Sequence, residues 1–234
     1  TAKYTADSAD TNGSVTYSIA FMDLMENSGI PVTIGTGSVD FNKTPPTLSN
    51  VSMSSSNTTD TLAKEDDIIT LSFTADEELS ETPVVKFGGV GATVNSGSGN
   101  SYNATYSVAS GDSTLAFTID FTDLWGESSQ VSGTATGNNL TIDTIVPAVP
   151  IIDTIASPTN NTTPIISGTG VTGDTITLYS GTSSSSLGSI GTFVVSNNTW
   201  SITPTLIPAT HTITATATDL AGNVSPASDP QQLV

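Results

Sequence analysis

The 234-residue chain contains no cysteine and no arginine, and its only lysines are Lys3, Lys43, Lys64 and Lys86. Without cysteine, no disulfide framework, cysteine-based zinc site or thiol nucleophile can form, so stability has to come from packing or from bound ions. The 22 acidic residues give a formal net charge of −18. This charge repels phosphate backbones and anionic lipid surfaces, which excludes nucleic acid as a partner. No apolar run is long enough to span a bilayer, so no membrane insertion is expected in this segment.

The sequence contains one pattern of strand and turn residues that occurs three times. An alternating strand runs into an Asp-Leu pair and a short turn in Val15–Gly29 (VTYSIAFMDLMENSG), Thr114–Ser128 (TLAFTIDFTDLWGES) and Thr212–Ser225 (TITATATDLAGNVS). The aspartates of these turns, at positions 23, 123 and 219, lie 100 and 96 residues apart, which is the length of one small β-sandwich. The repeat therefore indicates an array of immunoglobulin-sized domains.

The predicted fold class is all-β, with tandem immunoglobulin-like Greek-key β-sandwiches of which the first is incomplete. Only 22 residues precede Asp23, whereas a full domain precedes Asp123. We expect residues 1–45 to be the C-terminal part of a truncated domain, 46–146 a complete domain, and 147–234 a complete domain of a sister type. A half-sandwich leaves an open edge and an uncovered face, so residues 1–44 are expected to be the least stable part of a longer parent protein.

The middle domain shows strand signals in six stretches, about the number of strands that a sandwich needs, separated by turns rich in glycine, serine and asparagine. They fall at Thr47–Met53, Ile68–Ala75, Pro83–Gly88, Tyr102–Val108, Leu115–Phe121 and, as a longer last stretch, Gln130–Ile142. In a Greek-key sandwich, the turns after the second and sixth strands lie at the end of the domain that faces the preceding linker. Acidic residues concentrate in these turns and in the linkers, so each junction is expected to gather oxygen ligands.

Converging carboxylates at the ends of rigid strands are what a calcium ion between domains requires. The candidate ligands are Asp40, Glu65, Asp67, Asp76, Glu77, Asp123, Asp143, Asp153, Asp174, Asp219 and Asn223. Asn42 lies in the same first linker as Asp40. The alternative is that these residues are ordinary turn formers, since Asp and Asn are favoured in turns for backbone reasons. No calcium loop of the D-x-D-x-D-G type is present.

The sequence resembles a known family in its strands and turns. TLSNVSMSSSNTTDTLAKEDDIITLSFTADEEL, SYNATYSV and FTIDFTDLWGES resemble the bacterial Ig-like repeats of very large surface proteins and biofilm adhesins. PIISGTGVTGDTITLYS and HTITATATDLAGNVS are similar to repeats that form long stalks in such adhesins. The resemblance implies calcium between domains, carried here by Asp123, Asp219 and Asn223 of the D-L-x-G-x turn. Trp125 and Glu127 depart from the family's A-G-N at these positions.

The function expected from these features is structural and adhesive: an extracellular, cell-surface stalk or spacer stiffened by calcium, with neighbouring repeats of the same chain as partners. One alternative is a subunit of a surface layer or filament, in which edge strands of several copies pair. Another is a carbohydrate-binding module of an extracellular enzyme, with surface glycans stacked on the ring of Trp125. The chain itself is not expected to be an enzyme, because the single histidine, His211, has no acid near it in sequence and no catalytic constellation converges on it.

Overall fold

The computed structural model describes residues 2–7, 9–35, 37–182 and 187–234, and the side chain of residue 138 is not among the described groups. Within these residues the chain is built of β-strands, with a single 3₁₀ turn at Thr136–Asn138. The described part contains no helix with the length and apolar character needed to cross a membrane.

The first segment is a hairpin. Its strands are β1 (Gly13–Ser14) and β2 (Asp40–Phe41), which pair antiparallel. Between them, isolated bridges join Ile19 to Val32 and Met22 to Ser28. By the sequence repeat, the alternating residues of this hairpin correspond to those of a core strand in the middle domain, but here they remain exposed.

That exposure is seen by comparing positions 100 residues apart. Phe117, Ile119 and Phe121 are buried, whereas the corresponding Tyr17, Ile19 and Phe21 are half-exposed. An apolar face of this kind is normally covered by a second sheet. This face is uncovered within the described residues, and the truncated first domain stays a prediction.

The middle part of the chain forms two four-stranded sheets. Its strands are β3 (Leu48–Ser55), β4 (Leu62–Ala63), β5 (Ile68–Ala75), β6 (Val84–Phe87), β7 (Val90–Gly91), β8 (Val94–Ser96), β9 (Ser101–Ser107), β10 (Ala116–Thr122), β11 (Ser128–Thr134) and β12 (Thr141–Ile142). One sheet has the order β3-β5-β9-β8 and the other β11-β10-β6-β7, while β12 pairs parallel with β4. These are the A-B-E-D and G-F-C orders of an immunoglobulin sandwich, with β7 added beside the C strand.

The last part repeats this arrangement with fewer strands. They are β13 (Ile151–Ile152), β14 (Ile166–Thr169), β15 (Thr175–Thr182), β16 (Gly188–Val194), β17 (Thr199–Ile202), β18 (His211–Thr218) and β19 (Gln231–Leu233). The sheets run β13-β14-β17 and β16-β15-β18-β19. Strand alternation decides which side chains are inside, as in β15, where Ile176 and Leu178 are buried and Thr175 and Thr177 are only half-buried.

The described residues divide into two compact units. One contains Thr1–Ser52, Leu71–Ala104 and Ala116–Gly133, and the other contains Met53–Thr70, Thr105–Leu115 and Thr134–Val234. In the first, Phe73 is buried and stacks on Tyr102 with ring centroids 5.6 Å apart. In the second, a core cluster is built around Ile176, Trp200 and Ile213. The predicted domain boundaries after residues 45 and 146 stay predictions.

One predicted strand is divided in the structure. The stretch Gln130–Ile142 ends its first strand at Thr134 and resumes only at Thr141. Asn139, between the two strands, has a φ of 59°, which is left-handed and incompatible with a continuous strand. The polar run TGNN in this interval favours a turn, which the alternation of the flanking residues concealed.

Candidate functional site

The sequence repeat corresponds to one turn built three times. In each copy the backbone N–H of the aspartate donates to the carbonyl oxygen four residues later, and the aspartate Oδ1 accepts the N–H of that later residue. The two distances are 3.0 and 3.0 Å for Asp23 with Asn27, 3.0 and 2.8 Å for Asp123 with Glu127, and 3.1 and 2.9 Å for Asp219 with Asn223. The aspartate thus closes the turn from both its backbone and its side chain.

The fourth residue of the turn explains why glycine recurs there. Gly126 has a φ of 93° and Gly222 a φ of 90°, and Glu26 occupies the same position with a φ of 61°. These values are in the left-handed region, where a Cβ is unfavourable and glycine is not. The D-L-x-G-x pattern therefore specifies the backbone conformation of this turn, in which the aspartate side chain accepts a hydrogen bond from the turn backbone.

Two of these turns take part in clusters of carboxylates. We call Asn42, Glu77 and Asp123 the first cluster. The Asn42 amide nitrogen lies 3.4 Å from Glu77 Oε2 and 3.3 Å from Asp123 Oδ2, so one amide bridges two carboxylates. Asp123 is 0% exposed. Burial raises the pKa of Glu77, and the negative charges of Asp123 and Asp76 raise it further.

The second cluster consists of Asp174, Asp219 and Asn223. The Asn223 amide nitrogen donates to Asp219 Oδ2 at 2.9 Å and to the carbonyl oxygen of Asp143 at 2.8 Å. Asp174 is only 7% exposed, and its Oδ2 is buried with no hydrogen-bond partner among the described residues. Burial raises the pKa of Asp174, and the charge of Asp219 adds to this effect.

The two clusters have the same composition. Each contains the aspartate of the repeated turn, a carboxylate that follows the second strand of its sandwich, and an asparagine amide. The amide also reaches the preceding linker in both: Asn42 belongs to that linker, and Asn223 contacts the linker through the Asp143 carbonyl. In each cluster the carboxylate after the second strand, Glu77 or Asp174, has its pKa raised by burial and by the turn aspartate.

Three of the other candidates, Asp40, Asp76 and Glu65, lie outside these clusters. Asp40 accepts the hydroxyl of Ser14. Asp76 accepts the backbone N–H of Thr47 at 2.8 Å and its hydroxyl at 2.7 Å, and these bonds lower the pKa of Asp76. Glu65 is exposed.

The remaining candidates stabilise turns or strands. Asp143 Oδ1 accepts the N–H of Ile145 at 3.0 Å, and Asp153 Oδ2 accepts the hydroxyl of Ser167 at 2.7 Å. Asp67 Oδ2 accepts the N–H of Lys64 at 2.8 Å. The turn-former interpretation fits Asp143 and Asp67, whose bonds are local, whereas Asp153 bonds to a residue of the neighbouring strand.

Asn57 makes a long-range structural contact that sequence reasoning missed. Its amide nitrogen donates to Asp67 Oδ2 at 2.7 Å and to the carbonyl oxygen of Ala221 at 2.9 Å. Ala221 lies in the repeated turn beside Gly222, next to which the aliphatic chain of Lys64 also packs. These contacts fix the loop before β5 against the last repeated turn. No local pattern indicates a contact between residues 164 positions apart.

The donor set fits a calcium ion better than a transition metal. Among the described residues, no group of three or more His, Cys, Asp or Glu side chains is placed to hold a metal. Calcium does not need such a group, because it accepts amide and backbone carbonyl oxygens and water beside one or two carboxylates. Each cluster offers two carboxylates and an amide, and rotation of the asparagine side chain exchanges its nitrogen for its oxygen. The buried Asp174 Oδ2, without a partner in the described part of the chain, is an oxygen that such an ion would satisfy.

His211 has both ring nitrogens occupied by neighbours. Nε2 lies 2.8 Å from the carbonyl oxygen of Ile207, so it carries the proton, and Nδ1 lies 2.8 Å from Ser180 Oγ, so the serine hydroxyl donates to it. The orienting group is thus a backbone carbonyl and not a carboxylate. The expectation that the chain is not an enzyme stays a prediction.

The two tryptophans differ in exposure. Trp200 is buried and its Nε1 donates to the carbonyl oxygen of Thr169 at 3.1 Å. Trp125, in the second repeated turn, keeps about half of its side chain exposed. Only Trp125 is therefore available to stack on a ligand, as the sequence suggested.

Comparison with protein-family models gives a match over residues 153–233, to the family described as bacterial Ig-like domain. This segment is similar to a bacterial Ig-like domain. The match contains β14 to β19, so Asp174, Asp219 and Asn223 of the second cluster lie within the matched segment. No curated protein matches the chain.

Solved structures similar to this chain include other tandem domains. Titin domains A168–A170 are 9% identical, with 97% of this chain and 83% of that one covered and a TM-score of 0.46. The tandem Ig repeats of Dlar are 14% identical, with 81% and 96% covered and a TM-score of 0.31. The BSP domain of a biofilm-associated protein is 17% identical with a TM-score of 0.30, and 80% of this chain covers 29% of that structure.

Proposed function

We propose that this chain is a segment of an extracellular cell-surface protein, in which tandem Ig-like domains form a stalk or spacer whose linkers are stiffened by calcium. The observation that carries the proposal is the repetition of one cluster. Glu77 with Asp123, and Asp174 with Asp219, place two carboxylates together beside a linker, each pair with an asparagine amide. The similarity of residues 153–233 to a bacterial Ig-like domain supports the structural role.

Calcium would act here by removing repulsion. In each cluster the carboxylate after the second strand, half-buried Glu77 or buried Asp174, lies beside the turn aspartate, and both desolvation and that neighbouring charge disfavour its ionised form. A divalent ion bound by Asp174, Asp219 and an oxygen of Asn223 reverses this balance and links the linker to the turn through the same residues. The ion's contribution is electrostatic, and the protein supplies rigid strand ends that hold the ligands.

The test is thermal unfolding of residues 1–234 in 5 mM calcium and in a chelator. A site with an affinity typical of extracellular modules stabilises the folded state by about 1–2 kcal/mol at this concentration. Magnesium at equal concentration is the control, because it screens the net charge of −18 equally but requires a smaller, octahedral site. Digestion of linkers 40–46 and 143–150 by a calcium-independent protease should slow with calcium and not with magnesium. Equal effects of the two ions would show that calcium acts only by screening the net charge of the chain.

The exposed ring of Trp125 favours a second candidate, which is binding of surface glycans by stacking. A glycan array probed with the wild-type chain and with Trp125→Ala tests it directly. Binding that is lost in the variant supports a carbohydrate-binding module, and an array without signal for the wild-type chain contradicts it.

A further inference from the structure

We propose that strand β16, Gly188–Val194, pairs antiparallel with the β16 strand of a second copy of this chain, so that two four-stranded sheets become one eight-stranded sheet. This inference goes beyond the spacer function, because it assigns a surface through which copies associate side by side. It does not depend on calcium.

The first observation is the position and composition of β16. The strand lies at one end of the sheet β16-β15-β18-β19 and pairs with β15 along its length. A strand in this position presents unpaired backbone N–H and C=O groups on its other side. Natural edges are usually protected by charge, by proline or by being short. β16 has seven residues, GSIGTFV, with no charge and no proline.

The second observation is the apolar surface that accompanies this edge. Phe193 is 38% exposed and Val194 is 60% exposed, and Leu187, just before the strand, is also exposed. Among the strands described at sheet ends, β3 and β11 are of similar length, but they expose no large apolar side chain. The other end strands of the four sheets, β7, β8, β13, β17 and β19, have only two to four residues. β16 thus differs from the other edges in being long and apolar at once.

The third observation is electrostatic and identifies the occupant as a second copy. Between Asp174 and Asp219 there are 44 consecutive residues without any Asp, Glu, Lys or Arg, in a chain of net charge −18. Two such chains repel each other over most of their surface. The repulsion is weakest where charge is absent, and the charge-free stretch contains the whole of β16. A basic partner would prefer the acidic remainder of the molecule.

Pairing of a strand with its own copy fits the geometry of β16. An antiparallel pair related by a two-fold axis is self-complementary, so the same residues are used on both sides. The bulge of the strand lies between its pairs with Leu178 and Tyr179, which leaves Gly191–Val194 in regular register with β15. A two-fold axis near the middle of the strand places the exposed Val194 of each copy opposite the beginning of the other copy's β16, within the new interface.

The experiment is sedimentation equilibrium of residues 1–234 from micromolar to millimolar concentration, at fixed calcium and salt. The wild-type chain is expected to show a monomer–dimer equilibrium. Val194→Lys is expected to raise the dimer dissociation constant by about tenfold or more, since a lysine on an edge strand disfavours its pairing with another strand. The matched control is Val84→Lys, because Val84 is 50% exposed but lies on β6, which has neighbours on both sides. Its dissociation constant should stay within about twofold of the wild-type value.

A second control separates β16 from the uncovered face of the first segment. Ile19→Lys places the same charge on that exposed apolar face. Retained dimerisation in Ile19→Lys with loss in Val194→Lys supports the proposal, provided that the thermal unfolding of both variants matches that of the wild-type chain. If Ile19→Lys abolishes the dimer and Val194→Lys does not, or if the wild-type chain stays monomeric at millimolar concentration, β16 is not the interface.

Discussion

Asn223 and Asp219 are joined by two hydrogen bonds: the Asn223 backbone N–H donates to Asp219 Oδ1 at 2.9 Å, and its amide nitrogen donates to Oδ2 at 2.9 Å. The same amide reaches the carbonyl oxygen of Asp143 in the preceding linker. A single asparagine therefore closes the last repeated turn and attaches the linker to it. Substituting either Asp219 or Asn223 is therefore expected to weaken both the turn and its attachment to the linker.

Substitution of Asp219 by alanine should destabilise the chain by about 2 kcal/mol, because two hydrogen bonds to a charged acceptor are lost and the buried Asn223 amide loses a partner. This loss exceeds the relief of the repulsion on Asp174. Urea unfolding in a chelator measures the change without contribution from calcium. Asp229→Ala is the control, since Asp229 is exposed, and its free energy of unfolding should stay within about 0.5 kcal/mol of the wild-type value. Equal changes in the two variants would contradict the role given to the turn.

The fourth position of the repeated turn, where φ is positive, predicts changes in stability of opposite sign for substitutions in two of the turns. Glu26→Gly should stabilise the first segment, because glycine tolerates the φ of 61° better than glutamate. Gly222→Ala should destabilise the last domain by about 1 kcal/mol or more, because its φ of 90° is unfavourable for a Cβ. Hydrogen exchange of the two turns reports each effect locally. Gly91→Ala is the control, as its Cβ would meet no atom within 4 Å and its φ is not left-handed; an equal effect there would exclude backbone strain as the cause.

The pKa of Asp174 predicts how stability changes with pH in the absence of calcium. Burial, and then the charge of Asp219, raise this pKa above its ordinary value of 3.8. The folded state then binds the proton more tightly than the unfolded state, so the free energy of unfolding falls as pH rises from 3.8 through the folded pKa. Asp174→Asn lacks this titration, and its stability relative to the wild-type chain should therefore increase between about pH 4 and pH 7.

The measurement is urea unfolding of the two proteins at a series of pH values in chelator, with the difference taken at each pH. The difference is needed because Asp76, whose pKa is lowered by its bonds to Thr47, contributes a pH dependence of opposite sign in both proteins. A difference that does not change with pH would show that the Asp174 carboxyl is not perturbed.

Close packing beside Trp200 predicts a sensitive glycine. A Cβ on Gly168 would lie 1.9 Å from the carbonyl oxygen of Ile151 and 2.6 Å from a ring carbon of Trp200. Gly168→Ala should therefore cost about 3 kcal/mol, at the upper end for overpacking. Tryptophan fluorescence during urea unfolding reports this change at Trp200, with Gly91→Ala again as the control. A small effect would mean that β13 is able to move away from β14.

The sequence predicted the parts of this molecule that local patterns determine. Alternation located β5 and β10, and the spacing of Asp23, Asp123 and Asp219 located the repeated turn, because both depend on neighbouring residues. The interruption after Thr134 was not predicted, because the alternation on either side is the same with or without a left-handed Asn139.

The membership of the clusters required the structure. The acidic run Asp76, Glu77 and Glu78 offers three carboxylates, and only tertiary packing determines that Glu77 reaches the Asn42 amide while Asp76 bonds to Thr47. The role of Asn57 could not be predicted from the sequence either, since its bond to Ala221 depends on how two loops that are distant in sequence pack together.

Calorimetric titration of residues 1–234 with calcium, beside the double variant Glu77→Gln and Asp174→Asn, tests the central claim most directly. The account predicts two ions bound per wild-type chain, one for each cluster, and none in the double variant, with both proteins equally folded before titration. No binding to the wild-type chain, or the same two-site binding in the double variant, would contradict calcium as the element that stiffens these linkers.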